Sequence, residues 1–319
     1  MNKPVLDVHD LGVRFRLGPG QWLQAVDAVS FTIGRGETLG VVGESGSGKS
    51  TIARAVLHLT PAASGSVRFN GQELLNLRGG ALRAAREHMQ VIFQDPVASL
   101  DPRMSIGEII AEPLLEFRPR LSPPERRQRV LDIMRRVGLL PSHVNRFPHE
   151  FSGGQAQRIG IARALVVEPR LLVCDEPTSA LDVSIKSQIA NLLKDLQQQL
   201  QLSVLFIAHD LAAVRFSCDR VLVLYQGRVM EIAPREALFE RPQHPYTRLL
   251  LQSVPIPDPV AARARPAPQA PEAGPRPTPE GCLFRNRCPL AVDRCAREIP
   301  QLRQGGDSQV ACHRAGEAP

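Results

Sequence analysis

A chain of 319 residues with 43% hydrophobic and 22% charged content has ample sequence for a buried core, in one large domain or two, and its composition is that of an ordinary soluble globular protein. The formal charge of +7 comes from arginines scattered along the chain, not from a basic tail, which argues for a solvated surface and against nucleic acid as a partner. No run approaches the roughly 20 apolar residues that cross a bilayer, and no apolar stretch follows Lys3, so no secretory signal is expected and any membrane role has to use partner subunits.

Val5 to Phe15 and Ala28 to Ile33 are apolar over strand lengths on either side of Gly18-Pro19-Gly20, which predicts an antiparallel pair. Phe15 or Trp22 offers a ring that could stack on a base, although core or loop packing is the default account of either. The apolar run Thr38 to Val42 then leads into Gly43-Glu44-Ser45-Gly46-Ser47-Gly48-Lys49-Ser50, with Thr51 behind it. Strand, glycine loop and helix are the context of a phosphate-binding loop. The glycines let successive backbone N–H groups converge on phosphate oxygens, and the positive end of the next helix points at the same anion. Lys49, one of only four lysines, can reach the outer phosphates, and Ser50 is placed to hold Mg²⁺.

After the loop, Thr51 to Leu59 reads as a helix, and Ser66 to Phe69 with Gln72 to Leu75 reads as a hairpin around Asn70-Gly71. Gln90 to Phe93 forms a short strand ending at Gln94, well placed to touch a metal ion or its water. Between about 100 and 165 the pattern turns helical. Ser122-Pro123-Pro124-Glu125 is a capping box, and Val130, Ile133, Met134 and Val137 share one helix face. Ser152 caps a further helix whose first residues, Gly153, Gly154 and Gln155, bare its N–H groups, making a second site for an anion.

Leu171 to Cys174 is a fully apolar strand that ends in Asp175 and Glu176, which suits Asp175 to the Mg²⁺ shell and Glu176 to polarising a water. Ser179 to Asp182 opens a helix that reaches about Leu200. Ser203 to Ala208 is another buried strand, ending at His209. Gly43, Gln94, Asp175 and His209 all follow strands, and ligands of open α/β sheets bind beyond the carboxyl ends of their strands.

In order and spacing, the glycine loop, Gln94, Ser152 to Gln155, Asp175-Glu176, Ser179 to Asp182 and His209 resemble the ATPase subunit of ABC transporters over about residues 5–250. Phe151 and Ala156 depart mildly from that pattern, where leucine and a basic residue are commoner. The resemblance implies an α/β P-loop NTPase domain over 1–253, with a mainly parallel core sheet, an antiparallel β subdomain and a helical signature subdomain at about 100–165. It also implies ATP and Mg²⁺ as ligands and a head-to-tail dimer with a second ATPase subunit, paralogue or self, in which Ser152, Gly153 and Gly154 close on the partner's ATP. By position it implies Phe15 as the adenine-stacking ring, Glu176 as general base, His209 as γ-phosphate sensor and Gln94 as the link to two transmembrane permease subunits. A soluble ABC ATPase of DNA repair or translation, and a regulator that binds without hydrolysing, are the competing classes. The single cassette opposes the first, and Glu176 with His209 opposes the second.

Val91 to Leu100, Asp101-Pro102-Arg103-Met104, His244-Pro245-Tyr246-Thr247 and four terminal cysteines are similar, more narrowly, to dipeptide and oligopeptide importer ATPases. That implies work at the cytoplasmic face of the inner membrane as a peripheral subunit, with an extracytoplasmic substrate-binding protein as an indirect partner; import of another small solute is the alternative. Nine prolines between Val254 and Glu280 predict a linker over 254–280, ahead of a separate small module at 281–319. Cys282, Cys288, Cys295 and Cys312 fall in a segment too small for its own core, which calls for a staple. A reducing compartment disfavours disulfides and the wide spacings disfavour Zn²⁺, the alternative metal. Four thiolates can ligate a 4Fe–4S cluster, as the narrower resemblance also implies, with Arg285, Arg287 and Arg294 offsetting their charge.

Overall fold

The computed structural model describes residues 3–179, 181–252 and 280–317. The linker expected at 254–280 therefore lies, except for Glu280, outside the described residues. At the start of the chain, β1 (Leu6–Gly18) pairs antiparallel with β2 (Gln21–Ile33), from Leu6 opposite Ile33 to Gly18 opposite Gln21. Between β2 and the first helix, β3 (Thr38–Val42) enters the central sheet. β4 (Ser64–Phe69) pairs with β1 and turns through Asn70-Gly71 into β5 (Gln72–Glu73), so the expected hairpin exists and completes a four-stranded antiparallel sheet.

The central sheet is built from short runs that are buried on both faces, the signature of parallel strands covered by helices. β6 (Met89–Ile92), β7 (Leu171–Asp175), β8 (Ser203–Ile207), β3 and β9 (Arg220–Tyr225) lie side by side and parallel. Alternation along them assigns each side chain to a face. Leu39, Val41, Leu171, Val173, Leu205 and Ile207 join the core that also holds Leu6, Val8, Val29 and Ile52, under the antiparallel sheet. Leu172, Cys174, Val204 and Phe206 point the other way, into a core shared with the helical region.

Helices α1 (Lys49–Val56) and α2 (Gly79–Glu87) flank the β4–β5 hairpin in sequence, and α3 (Ile106–Phe117), α4 (Pro123–Arg136) and α5 (Gly153–Leu165) make the helical region. Each of the last three starts from a serine whose hydroxyl accepts from the third backbone N–H, while the Glu or Gln there reaches back: Ser105 with Glu108, Ser122 with Glu125, Ser152 with Gln155. Ile106, Ile109, Ile110 and Leu114 on α3 are fully or almost fully buried against α5 residues such as Ile159 and Ala162. α6 (Val183–Leu200) and α7 (Leu211–Ser217) follow β7 and β8.

The tail is not a body apart. β10 (Arg228–Pro234) runs antiparallel to β9 and is followed by α8 (Arg235–Glu240) and α9 (Pro245–Gln252). In the cysteine-bearing segment α10 (Asp293–Arg297) precedes β11 (Arg303–Gly305) and β12 (Ser308–Val310), and β12 pairs with β10 at Glu231 opposite Val310. The central sheet thus reads β11-β12-β10-β9-β3-β8-β7-β6. The small module expected at 281–319 joins the central sheet, because β10 offers an open edge that β12 covers, and Phe284, almost fully buried, packs edge-on against Tyr225 with ring centroids 5.5 Å apart.

Ile110, at 0% exposure in the α3 core, sets a measurable stability: Ile110→Ala is expected to cost about 2–5 kcal/mol. Urea unfolding should show a lower midpoint with an unchanged slope. A loss below about 1 kcal/mol would mean that α3 is not packed as described.

Candidate active site

Four strand ends meet at one edge of the central sheet. β3 ends in the glycine loop, β6 leads to Gln94, β7 to Glu176 and β8 to His209, because parallel neighbours put all their carboxyl ends on the same side. Together with the antiparallel sheet they enclose a cavity of about 650 Å³. Ser45, Gly46, Gly48, Lys49, Ser50 and Thr51 form its floor; Gln94, Glu176 and His209 close one side; Phe15 lies on another. Trp22 is not in the wall, and its ring instead carries the Arg14 guanidinium 4.7 Å from its centroid. Of the two candidate rings, then, Phe15 is the one that faces the cavity.

The loop conformation needs its glycines. Gly48 precedes α1 with φ 104°, and a Cβ there would come within 2.5 Å of the Ala25 carbonyl oxygen. Not every loop residue reaches the cavity. Gly43, Glu44 and Ser47 stand behind it, Ser47 buried and Glu44 turned toward the C-terminal tail. Lys49 is buried at 5% exposure and its Nζ donates to the carbonyls of Gly43 and Glu44, both at 2.9 Å. Desolvation lowers its pKa against the opposing pull of Glu176, Asp175 and Glu44.

Ser50 Oγ donates to Asp175 Oδ1 at 2.8 Å, which joins the end of the loop to the end of β7. Burial raises the Asp175 pKa, and the Glu176 charge adds to it, while Ser50, Arg54 and Lys49 oppose. These two oxygen donors suit Mg²⁺, which keeps several waters and needs only one or two protein ligands beside phosphate. Glu176 takes a left-handed backbone (φ 50°), uncommon for a non-glycine residue and often associated with functional strain. Its Oε2 accepts from Gln94 Nε2 at 2.9 Å and lies 3.2 Å from His209 Nδ1.

The second anion-binding helix end is elsewhere. Ser152, Gly153 and Gln155 are exposed and outside the cavity wall, and Gly154 is buried against α6, where a Cβ would come within 2.6 Å of Ile185. Leu181 is the neighbour of Gly153, so Asp182, exposed at the start of α6, belongs with this helix end and not with the glycine loop.

Four wall residues carried no signal in the sequence: Leu23, which β pairing sets opposite Phe15, and Gln24, Ala25 and Gln226. Strand register across distant segments is what brings them in. Tyr246, whose hydroxyl accepts from the Glu44 N–H at 3.0 Å, was visible only as part of a phrase.

The four tail cysteines are brought into one another's electrostatic range, and burial together with the neighbouring thiols raises Cys282 to about 11 and moves Cys288 and Cys312 in the same direction. Among the described residues, however, no three His, Cys, Asp or Glu side chains stand in an arrangement that would hold a metal ion. Thiols alone have no attraction that would draw them to one centre; a bound metal supplies it. Nor do the three arginines expected to offset thiolate charge all do so: Arg287 pairs with Glu44 and Arg294 with Glu298.

Residues 26–179 match the family model "ABC transporter", and residues 230–295 match "Oligopeptide/dipeptide transporter, C-terminal region". The oligopeptide transport ATP-binding protein OppF of Escherichia coli (strain K12) is 51% identical over 97% of this chain and 96% of its own. The chain belongs to the ATP-binding subunits of ABC transporters, in the dipeptide and oligopeptide group. OppF of Salmonella typhimurium is 50% identical over the same shares. A solved ABC cassette, the dimeric structure of a post-hydrolysis state of MJ0796 bound to ADP and Pi, superposes with a TM-score of 0.66 at 30% identity, covering 72% of this chain and 98% of that one. As a member of this family the chain is an ATPase of the P-loop α/β class.

Asp175 is held ready for a cation at a cost in stability. Its folded pKa is raised, so at neutral pH its charge destabilises the nucleotide-free fold, a penalty that starts to shrink as the pH falls through the folded pKa and is gone only below the pKa of the unfolded carboxylate. Asp175→Asn keeps an acceptor for Ser50 and should melt measurably higher than the parent at pH 7.5. The gain should shrink as the pH is lowered below the folded pKa of Asp175. A variant that melts lower at pH 7.5 would show that the carboxylate is net stabilising.

Proposed function

We propose that this chain binds and hydrolyses ATP to power the import of dipeptides or oligopeptides through two partner transmembrane permease subunits, at the cytoplasmic face of the membrane and with an extracytoplasmic binding protein delivering substrate. The observation that carries the reading is the placement of Glu176 in the wall of the glycine-loop cavity while the signature helix end stands outside it. Two phosphate-seeking helix ends on one chain that face different directions make sense if the second serves another subunit's ATP. Support for a membrane-associated role comes from the relatives; among the described residues no helix is long and apolar enough to cross a membrane. In this reading 1–253 form the ATPase domain and 281–319 its cysteine-bearing module.

The triphosphate lies over the N–H groups of Ser45 to Thr51 with Lys49 swung to its outer oxygens, and the adenine lies on Phe15. Ser50 and Asp175 would hold Mg²⁺, which when bound neutralises charge on the β- and γ-phosphates. Glu176 orients and deprotonates the attacking water; His209 beside it reads the γ-phosphate. Gln94, bonded to the same carboxylate, links this chemistry to the permease side. Ser152 to Gln155 and Asp182 act on the ATP of a second ATPase subunit arranged head to tail.

Glu176→Gln is expected to bind ATP like the parent, lose at least about 10²-fold in turnover and accumulate an ATP-bound dimer, with itself or with its co-expressed partner ATPase. Phosphate release and light scattering measure both. Turnover within a few-fold of the parent would remove Glu176 from the role of base.

For the tail we propose an iron–sulfur cluster on Cys282, Cys288, Cys295 and Cys312. The presence of four thiols in one short segment supports it, and its role would be to complete a segment with few aliphatic residues. Protein purified without oxygen should be brown, contain iron and acid-labile sulfide, and lose its colour when the four cysteines are changed to serine. Colourless protein with stoichiometric zinc would replace the cluster by Zn²⁺.

A further inference from the structure

We infer that Arg287, with Tyr246, positions the phosphate loop, so that the cysteine-bearing tail braces the nucleotide site from behind; the inference rests on the reading of that loop as the ATP site. Glu44 is the hinge of the argument. Its side chain turns away from the cavity, and its two carboxylate oxygens take two bonds from one guanidinium, Arg287 Nη1 to Oε2 and Nη2 to Oε1, both at 2.9 Å. Such a fork fixes orientation as well as distance, which a single ammonium does not. The Arg287 side chain is 10% exposed, with its guanidinium 5.8 and 5.7 Å from the ring centroids of Tyr225 and Phe284.

The main chain of Glu44 is held as firmly. Its N–H donates to Tyr246 Oη at 3.0 Å and its carbonyl accepts from Lys49 Nζ at 2.9 Å. Tyr246 cannot drift, because it is fully buried, its own N–H donates to His244 Nδ1 at 2.9 Å, and the Glu231 carboxylate accepts from the N–H groups of Gln243 and His244 at 2.9 and 3.0 Å. A chain of bonds therefore runs from β10 through α9 to the loop. Arg287 itself sits in a turn closed by its N–H to the Phe284 carbonyl at 3.0 Å, one residue before Cys288.

Ser45 and Gly46, the next two residues after Glu44, line the cavity. Turning the Glu44 peptide would swing their N–H groups off the phosphates. A loop rich in glycine has little stiffness of its own, so the direction of those donors has to be imposed from outside. An ordinary buried ion pair would add stability to the fold and leave nucleotide affinity alone. Positioning predicts the reverse emphasis.

The test uses the full chain, a fluorescent ATP analogue and steady-state hydrolysis, at a temperature where each variant is folded by circular dichroism. Arg287→Ala and Glu44→Gln should each weaken analogue binding about tenfold and raise KM for ATP to match, with kcat within about twofold; the double variant should be no weaker than the weaker single one. Arg287→Lys, which keeps the charge and most of the packing but loses the fork, should recover only part of the affinity, and it decides the question if Arg287→Ala does not fold. Tyr246→Phe should weaken binding a few-fold. Binding within about twofold of the parent in Arg287→Lys and Glu44→Gln, or losses that add in the double variant, would overturn the inference. A parent that binds no ATP analogue would instead overturn the reading of the loop, and this inference with it.

Discussion

The nucleotide site depends on holding a glycine loop still without occupying the space it encloses. Glycine supplies the backbone freedom, and that freedom has to be removed again by neighbours placed behind the loop. At Gly43 and Gly48 the carbonyls of Leu224 and Ala25 come so close that no side chain would fit, and Lys49 pins two loop carbonyls from inside. These neighbours come from β9, β2 and α1, elements far apart in the chain, so the cradle exists only once both sheets have assembled.

The same packing sets the electrostatics. Asp175 and Glu176 stand at the end of a strand buried on both faces, where water is scarce and the Glu176 charge adds to the cost of charging Asp175. Lys49, Arg54 and Ser50 offset part of that cost. The unsatisfied remainder is what a divalent cation and the loop lysine, once moved to phosphate, are suited to absorb. The left-handed backbone at Glu176 has the same character: a local cost that aims one carboxylate at the cavity and brings Gln94 and His209 to a single oxygen.

Separation of the two helix ends is the other organising feature. α5 is fixed through its apolar face to α3 and α4, and through Gly154 to Ile185 on α6, which leaves Ser152, Gly153 and Gln155 facing outward. Among the described residues nothing brings that end to the glycine loop.

Local chemistry made much of this legible in the amino-acid sequence alone. The glycine loop, the Ser122 and Ser152 capping boxes, the Asn70-Gly71 hairpin and the apolar runs of β7 and β8 each need only neighbours in sequence, and they announced the strand ends on which Gln94, Asp175, Glu176 and His209 sit. Ser105 and Glu108 cap α3 just as the others do, although Pro113 inside that helix obscures the helical pattern. What needed the tertiary structure were the long-range pairings. Periodicity does not say that Phe15 and not Trp22 faces the cavity, that Gln24 and Gln226 share its wall, or that β12 adds to the edge of β10. Least of all does it say that Arg287 lies beside Glu44, 243 positions away, because ion pairs between distant segments leave no spacing to read. Elements and candidate reacting groups are legible from neighbouring residues, whereas which side chains stand behind the loop depends on how sheets stack and edges are covered.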